Sequence, residues 1–469
     1  MKKNDDIISS NGNRYAFLES KRNFHYLPPE ENDENREKRW KFWNETYQMK
    51  GNNIQFTPTY PVQLLKENLA NLRQLLIEVT DECNLACRYC GYGNLYGNYD
   101  ARNNKKQKFE NVKVLIDYLY QFWNSELNIS HNNRITIGFY GGEPLMNFKL
   151  IQEIIYYLEQ LNLPSTKFMY NMTTNAILLD RYMDYLAEKE FHLLISLDGN
   201  KYNDSYRVTK SGKPSFDIVV SNILKLKETH PDFFEKNVSF NAVLHNRNSV
   251  KEATAFIWET FGKIPRIGEL TTNGIAEEKV AEFQAMFTNK FKSFEQAIDY
   301  EPLQQKLSLS PNFLQLNSFI DAFSTNTFHT YMELFQRTRS RLYIPTGTCS
   351  PFNRKIFLTV NGKILPCEKI GHQATLGYVH NGQVEINLEK IVQFYEKKYK
   401  HLIPLCMECV QAENCGQCVF LMKEKDGKPN CLMFRSKKKL RHKYFAKFIT
   451  MLENQPESYQ KILQEITID

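Results

Sequence analysis

Residues 74–90 read QLLIEVTDECNLACRYC, an apolar strand pattern followed at once by three cysteines within eight residues. Cys83, Cys87 and Cys90 have no fourth cysteine near them, although a structural metal site normally has four protein ligands. Three thiolates can hold three irons of a [4Fe-4S] cluster and leave the fourth iron open, which is typical of a catalytic metal. Zinc is the alternative, but it would need a fourth ligand, and no histidine lies within thirty residues on either side.

The strand before these cysteines is the first of six similar runs between residues 73 and 271. The runs are 74–80, 134–140, 167–173, 192–197, 237–244 and 266–270, and helical patterns with apolar residues every three or four positions separate them. This alternation predicts an α/β fold with a parallel sheet and right-handed crossovers. Six units are too few for an eight-fold barrel, so we expect a partial (β/α)6 TIM-type barrel, with its chemistry at the C-terminal ends of the strands.

Short polar motifs follow the next three strands. They are Gly141-Gly142-Glu143-Pro144, the stretch TTNA at 173–176, and SLDG at 196–199. Paired glycines let the backbone approach a ligand closely, and Glu143 offers acceptors for an ammonium group. Each motif alone is an ordinary turn former. Four successive strand ends of this kind on one rim favour a functional site.

The motif CxxxCxxC, with Tyr89 before its last cysteine and GGEP after the next strand, resembles the radical S-adenosylmethionine (SAM) superfamily. The resemblance implies that the open iron binds the amino and carboxylate groups of SAM, and that reduction of the cluster yields a 5′-deoxyadenosyl radical. It also implies cofactor contacts: the Gly141–Glu143 turn (Gly141, Gly142, Glu143) with the methionine ammonium, Asn175 and Ser196 with the ribose, Tyr89 with the adenine, and Arg207 with the carboxylate.

Seven further cysteines occupy residues 349–431. A zinc ribbon would separate its CxxC pairs by about fifteen to twenty residues, whereas Cys409 and Cys415 have five between them. The block resembles the SPASM extension of radical SAM enzymes, which carries two auxiliary iron–sulfur clusters, although its last inner pair has two intervening residues where the family more often has three. The resemblance implies one cluster on Cys406, Cys409, Cys415 and Cys431, and a second, one ligand short, on Cys349, Cys367 and Cys418.

Two more residues are candidates for catalysis. Glu368 stands directly after Cys367, where related enzymes that oxidise a side chain carry an acidic general base. A surface turn carboxylate is the alternative interpretation of Glu368. Tyr92, two residues after Cys90, is a candidate for the substrate cavity, with simple packing as its alternative.

The chain has 469 residues, enough for about three domains. We divide it into an N-terminal accessory region (1–72) with a possible hairpin and a charged helix, a radical SAM core (73–290), a helical linker (291–345), a loop-rich SPASM domain (346–435) and a basic C-terminal helix (436–469). The basic run at 434–447 is more simply a solvated helix face than a patch for an acidic partner.

Composition favours a cytoplasmic protein. The net charge of +7 is mild and does not indicate nucleic acid, no apolar run of about twenty residues could span a membrane, and the first residues do not form a secretory signal. Because disulfides are rare in a reducing cytosol, ten cysteines in two blocks point to metal.

Residues 70–270 further resemble the GG-Bacteroidales family of radical SAM peptide maturases, whose precursor peptides have a Gly-Gly leader. This implies a ribosomal precursor peptide as substrate and an electron donor such as flavodoxin or ferredoxin. An oxidative crosslink is the favoured product, with an epimerised centre still open. The alternatives are an anaerobic sulfatase-maturating enzyme, which generally has a cysteine that this chain lacks, and a non-catalytic zinc or iron–sulfur adaptor.

Overall fold

The computed structural model describes residues 6–18, 23–29, 33–46, 56–129, 133–164, 166–297, 299–304, 315–320, 344–412, 415–454 and 456. The chain forms two compact units. We call Tyr60–Leu309 with Cys349–Gln393 the barrel unit, and Met1–Thr59 with Ser310–Thr348 and Phe394–Asp469 the terminal unit. Much of the predicted linker 291–345 lies outside the described residues.

The strands in chain order are β1 (Ile7–Ile8), β2 (Arg14–Leu18), β3 (Asn23–Leu27), β4 (Gln74–Thr80), β5 (Asn133–Gly141), β6 (Thr166–Thr174), β7 (His192–Ser196), β8 (Val238–Leu244), β9 (Arg266–Glu269), β10 (Lys355–Leu358), β11 (Lys363–Leu365), β12 (Gly377–His380), β13 (Gln383–Ile386), β14 (Lys423–Lys425) and β15 (Lys428–Asn430).

The helices in chain order are α1 (Asp33–Thr46), α2 (Val62–Ala70), α3 (Phe109–Trp123), α4 (Phe148–Glu159), α5 (Met183–Glu188), α6 (Phe216–Thr229), α7 (Pro231–Asn237), α8 (Val250–Phe261), α9 (Val280–Met286), α10 (Lys290–Glu295), α11 (Glu301–Gln304), α12 (315–320), α13 (Leu388–Tyr399), α14 (Ile403–Met407) and α15 (Lys437–Asn454). Within the described ranges, every helix is too short or too polar to cross a membrane.

The barrel unit contains the predicted parallel sheet. Strands β4 to β9 lie side by side in chain order, and every pair of neighbours is parallel. In β4, Leu75, Ile77 and Val79 on one face are completely buried, and Leu76 and Glu78 on the other face are 5% and 1% exposed, as expected for a parallel strand covered on both faces. The six strands and their order are confirmed, so the C-terminal ends of β4 to β7 share one rim.

The sheet is wider than the sequence indicated. Strand β10 pairs in parallel with β4, and β11, β12 and β13 continue the same sheet as antiparallel neighbours. The expectation that the region after residue 346 is loop-rich was therefore wrong for these four strands. Each has only three or four residues, which is too short for a period-two pattern to be recognised in the sequence.

The terminal unit contains the predicted hairpin. Strands β1, β2 and β3 form an antiparallel sheet in which Phe17 pairs with Phe24. Phe445 of α15 packs on this pair, with ring centroids 4.9 Å from Phe17 and 5.0 Å from Phe24. The hydroxyl of Tyr15 donates a hydrogen bond to Glu453 of the same helix. The ends of the chain thus share one small core.

Candidate active site

The cysteine loop begins directly after β4, at the rim of the sheet. The Cys83 sulfur accepts hydrogen bonds from the backbone N–H of Leu85 at 3.4 Å and from the Asn175 side-chain amide at 3.8 Å. The backbone N–H of Cys90 donates to the carbonyl of Cys87 at 3.1 Å. Burial raises the pKa of Cys83 to about 11 and that of Cys87 to about 12, while the positive charge of Arg207 acts in the opposite direction on both.

These thiols fit an iron–sulfur group by their chemistry. Across the described ranges, no three Cys, His, Asp or Glu side chains converge on a ready-made metal position. The three thiols are nevertheless close enough to interact electrostatically, because the charge of Cys90 raises the pKa of Cys83, and the charges of Cys90 and Cys83 raise the pKa of Cys87. Thiolates are the ligands that iron–sulfur clusters take, and N–H groups aimed at sulfur favour the thiolate form.

The glycine turn after β5 is fastened to the cysteine loop by its backbone. Gly142 donates to the carbonyl of Thr80 at 2.9 Å, and Glu143 donates to that of Glu82 at 2.8 Å. A Cβ on Gly141 would stand 2.0 Å from the Thr80 oxygen, and one on Gly142 would stand 2.1 Å from the Glu82 oxygen. Gly141 also has φ +143°. Only glycine fits at both positions.

The Glu143 side chain is buried and joins two strand ends. Its carboxylate accepts from the backbone N–H of Asn175 at 2.8 Å, the hydroxyl of Thr174 at 2.7 Å and the backbone N–H of Leu145 at 3.2 Å. Burial raises the pKa of Glu143, and these donors oppose the rise. The sequence suggested the carboxylate oxygens of Glu143 as acceptors for an ammonium group, but in the structure they accept hydrogen bonds from the protein itself. The Glu143 carbonyl already accepts from the backbone N–H of Met146 at 3.0 Å, so a ligand would use the remaining lone pairs of the carbonyl oxygens in the turn.

Asn175 connects the TTNA turn to the cysteines. Its side-chain amide donates to the Asn84 side-chain oxygen at 2.7 Å as well as to the Cys83 sulfur, and its own oxygen accepts from the Ile177 backbone N–H at 3.1 Å. The structure therefore brings together Cys83, Glu143 and Asn175, which lie 32 to 92 residues apart in the sequence. Ser196, the last residue of β7, pairs with Asn241 of β8 and is half-buried.

A buried network surrounds Tyr89 and Arg207. The Tyr89 hydroxyl donates to the Asp198 carboxylate and accepts from the Arg207 guanidinium at 3.1 Å, and the Arg207 Nε lies 3.7 Å from Asp204. The His245 ring stacks on Tyr89 with centroids 5.5 Å apart. Sequence reasoning missed Asp198, Asp204 and His245 as part of the site. Asp198 could have been found, because it is the acidic residue of SLDG at the end of β7.

Glu368 is not a surface carboxylate. Its side chain is 13% exposed and forms an ion pair with Lys355, with N–O distances of 2.9 and 3.1 Å. Burial raises the pKa of Glu368, but the Lys355 charge outweighs this effect and the pKa is lowered. The ionised form is therefore favoured.

Tyr92 lies in a half-buried aromatic group. Its ring centroid is 4.8 Å from that of Tyr99 and 6.1 Å from that of Tyr140, and the Arg102 guanidinium lies 4.1 Å above it. Arg102 also forms a 2.7 Å ion pair with Glu78, whose side chain is 1% exposed. Glu78 in turn accepts from the Val360 backbone N–H at 2.8 Å. Sequence reasoning did not identify the ion pair between Arg102 and Glu78, of which Glu78 lies on β4.

Four cysteines of the second block lie near one another in the terminal unit. The pKa of Cys406 is raised to about 12, mainly by burial and also by the charges of Cys415, Cys409 and Cys431. The backbone N–H groups of Gln417 and Gly347 lower the pKa of Cys415, and that of Thr346 lowers the pKa of Cys406, so each favours the thiolate form. Four grouped thiols with N–H donors to sulfur fit an iron–sulfur cluster.

The remaining three cysteines are divided between the units. Cys349 and Cys367 belong to the barrel unit and Cys418 to the terminal unit. The Cys367 sulfur accepts from the backbone N–H of Lys369 at 3.4 Å, and Cys349 is exposed. The ligand set Cys349, Cys367 and Cys418 stays a prediction.

Comparison with known families identifies the part of the chain that carries the cysteine loop. Residues 77–257 match the model of the radical SAM superfamily. This segment is a radical SAM domain. The match begins within β4 and ends within α8, so the radical SAM domain includes the cysteine loop, the glycine turn and the Tyr89–Arg207 network.

Curated relatives match about a third of the chain. An uncharacterized protein of Methanocaldococcus jannaschii is 38% identical over 145 residues, covering 31% of this chain and 45% of the relative. A cysteine-type anaerobic sulfatase-maturating enzyme of Clostridium novyi is 30% identical over 158 residues, covering 33% of this chain and 40% of the relative. A radical SAM cyclopropyl synthase of Paramaledivibacter caminithermalis is 24% identical over 177 residues, covering 37% of this chain and 35% of the relative. The chain thus spans less than half the length of these relatives.

Among solved structures, anSMEcpe with bound AdoMet and the Kp18Cys peptide is similar in fold. The match has a TM-score of 0.53 at 16% identity and covers 84% of this chain and 99% of that one. At this identity the similarity shows the fold alone. It agrees with an α/β radical SAM fold built on a central parallel sheet.

Proposed function

We propose that the chain is a radical SAM enzyme that modifies a ribosomal precursor peptide. The observation that carries this proposal is the connection of Cys83 to the glycine turn through Asn175, because it joins the thiols to the backbone that would hold SAM. The superfamily match of residues 77–257 and the AdoMet-bound structure of similar fold support it. When bound to Cys83, Cys87 and Cys90, a [4Fe-4S] cluster with SAM supplies a 5′-deoxyadenosyl radical that abstracts a substrate hydrogen.

In this proposal the chain's own residues bind and orient. The carbonyl groups of the Gly141–Glu143 turn would hold the ammonium of SAM, and Arg207, held in place by Tyr89, Asp198 and Asp204, would hold its carboxylate. Asn175 and Ser196 would contact the ribose, and Tyr89 would contact the adenine. Burial of the network excludes water, which strengthens each of these polar contacts.

Glu368 would accept a proton from the substrate, because its pairing with Lys355 keeps it ionised. Tyr92, packed between Tyr99 and the Arg102 guanidinium, would line the substrate cavity. The favoured product is an oxidative crosslink, such as a thioether or a carbon–carbon bond. We assign the chain to the GG-Bacteroidales family of peptide maturases on the motifs quoted above.

Two auxiliary clusters complete the proposal, one on Cys406, Cys409, Cys415 and Cys431 and one on Cys349, Cys367 and Cys418. The partners are a precursor peptide with a leader and an electron donor such as flavodoxin or ferredoxin, in the cytoplasm. Strand β3 is the last strand of its sheet among the described residues, and an edge strand can pair with an added peptide strand. The leader would dock there, within residues 1–72.

The test is anaerobic reconstitution with iron and sulfide, followed by iron analysis and detection of 5′-deoxyadenosine. Three clusters correspond to about twelve irons per chain. Replacing Cys83, Cys87 or Cys90 by Ala should abolish SAM cleavage and leave about eight irons. Retained cleavage would refute the site. Zinc content without SAM cleavage would support a non-catalytic adaptor instead.

A second candidate is an anaerobic sulfatase-maturating enzyme, favoured by the 30% identity to such enzymes of Clostridium novyi and Bacteroides thetaiotaomicron. Mass spectrometry distinguishes the two. Coexpression with a Gly-Gly leader peptide should yield a product lighter by two hydrogen atoms, whereas a sulfatase peptide should remain unchanged. Formylglycine on the sulfatase peptide would reverse the assignment.

A further inference from the structure

Large apolar side chains are exposed next to the cysteines of the terminal unit. Met407, directly after Cys406, is 51% exposed, and Leu432 and Met433, directly after Cys431, are 65% and 48% exposed. Scattered exposed apolar residues are normal, but a contiguous group often marks a protein interaction site.

Hydrogen bonds make these residues one surface. The backbone N–H of Val410 donates to the carbonyl of Arg435 at 2.9 Å, and that of Lys437 donates to the carbonyl of Glu408 at 2.8 Å. The Lys437 ammonium also donates to the Met407 carbonyl at 2.7 Å. The segments 406–410 and 431–437 therefore run side by side. We call Met407, Leu432, Met433, Arg435, Lys437 and Lys438 the thiol face.

The thiol face is basic. Arg435 is exposed, and its guanidinium donates to the carbonyls of Leu432 and Phe434 at 3.2 and 2.9 Å. Lys438 is also exposed, as is the acidic residue Glu408. From the sequence, the basic run was interpreted most simply as a solvated helix face. In the structure its start lies beside apolar residues and beside the grouped thiols of Cys406, Cys409, Cys415 and Cys431.

We propose that the thiol face docks an acidic one-electron carrier protein. The inference rests on the proposed function, because SAM cleavage consumes one electron. The reduced carrier gives up that electron and is left oxidised by one, while the sulfur–carbon bond of SAM breaks to methionine and the 5′-deoxyadenosyl radical. An apolar centre flanked by cations suits a brief complex with an acidic surface, since complementary charge speeds association and weak electron-transfer contacts are small.

The experiment compares two reductants on the reconstituted holoenzyme. Reduced flavodoxin must dock, whereas dithionite is small and needs no docking surface. In the variant Arg435→Glu/Lys438→Glu, flavodoxin-driven formation of 5′-deoxyadenosine should fall about tenfold or more. The dissociation constant for flavodoxin, measured by calorimetry at low salt, should rise by a similar factor. The dithionite-driven rate should match that of the wild type.

The control is Lys225→Glu/Lys251→Glu, which changes the net charge equally at exposed lysines of the barrel unit. It should leave flavodoxin binding within about twofold of the wild type, because neither lysine belongs to the thiol face. Leu432→Ser should weaken flavodoxin binding without altering the dithionite-driven rate. The proposal would be overturned if both double variants weakened flavodoxin binding equally, or if the thiol-face variant left flavodoxin binding unchanged. An equal fall in the rate of 5′-deoxyadenosine formation with flavodoxin and with dithionite would also overturn it. If the wild type cleaves no SAM with dithionite, the proposed function fails, and flavodoxin binding still decides whether the surface docks a carrier.

Discussion

The glycine turn offers the sharpest test of the site, through the substitution Gly142→Ala. The added methyl group would stand 2.1 Å from the carbonyl oxygen and 2.4 Å from the carbonyl carbon of Glu82. Both atoms are backbone, so no side chain can move aside. The cysteine loop and the turn must separate by about 1 Å to restore ordinary contact.

The cost of this separation can be worked from the contacts that hold the turn. Two backbone hydrogen bonds cross it, from Gly142 to Thr80 and from Glu143 to Glu82, and each contributes about 1 kcal/mol net. Overpacking adds about 1–3 kcal/mol. If both hydrogen bonds are lost, we expect the free energy of unfolding to fall by about 3–5 kcal/mol. SAM cleavage should fall about a hundredfold, since a misplacement of about 1 Å has costs of that size.

The assays are urea unfolding and the rate of 5′-deoxyadenosine formation with dithionite. Gly91→Ala is the matched control, because this glycine follows Cys90 directly and a Cβ there would have no heavy atom within 4 Å. Its stability and its rate should stay close to those of the wild type. If Gly142→Ala behaves like Gly91→Ala in both assays, the close approach of turn and loop is not what shapes the site.

Three further predictions concern buried charges and the second thiol group. Arg102→Met should lower the free energy of unfolding by about 3–5 kcal/mol, because it leaves a buried carboxylate unpaired; Lys113→Met, in an exposed pair, should cost under about 1 kcal/mol, and equal losses in urea titrations would contradict this. Burial raises the pKa of Asp204 to about 8, so between about pH 4 and 8 the folded state holds a proton that the unfolded state has released. Stability should fall as pH rises, by up to about 1.4 kcal/mol per pH unit, and Asp204→Asn should flatten this slope in unfolding at pH 5, 6 and 7; an unchanged slope would refute the shift. Cys406→Ala/Cys431→Ala should lose about four irons and keep SAM cleavage by dithionite, whereas unchanged iron content would remove these two residues from the ligand set.

The sequence by itself determined the barrel's central sheet and the place of its site. Long apolar strands alternating with periodic helices leave few alternatives, because each pattern depends only on residues near in sequence. The same holds for the three cysteines and the paired glycines, whose spacing is local and whose chemistry is specific.

Only the tertiary structure decided how the polar side chains are used. Glu143 turned out to accept from Thr174 and Asn175, and Tyr89 to lie among Asp198, Arg207 and His245. The strands β10–β13 were also unforeseen. These contacts join residues that lie tens to hundreds of positions apart in the sequence. The partner of a short strand or of a buried carboxylate depends on which residues the folded chain brings next to it, because an unpaired polar group in the interior is costly. Local sequence patterns do not contain that information.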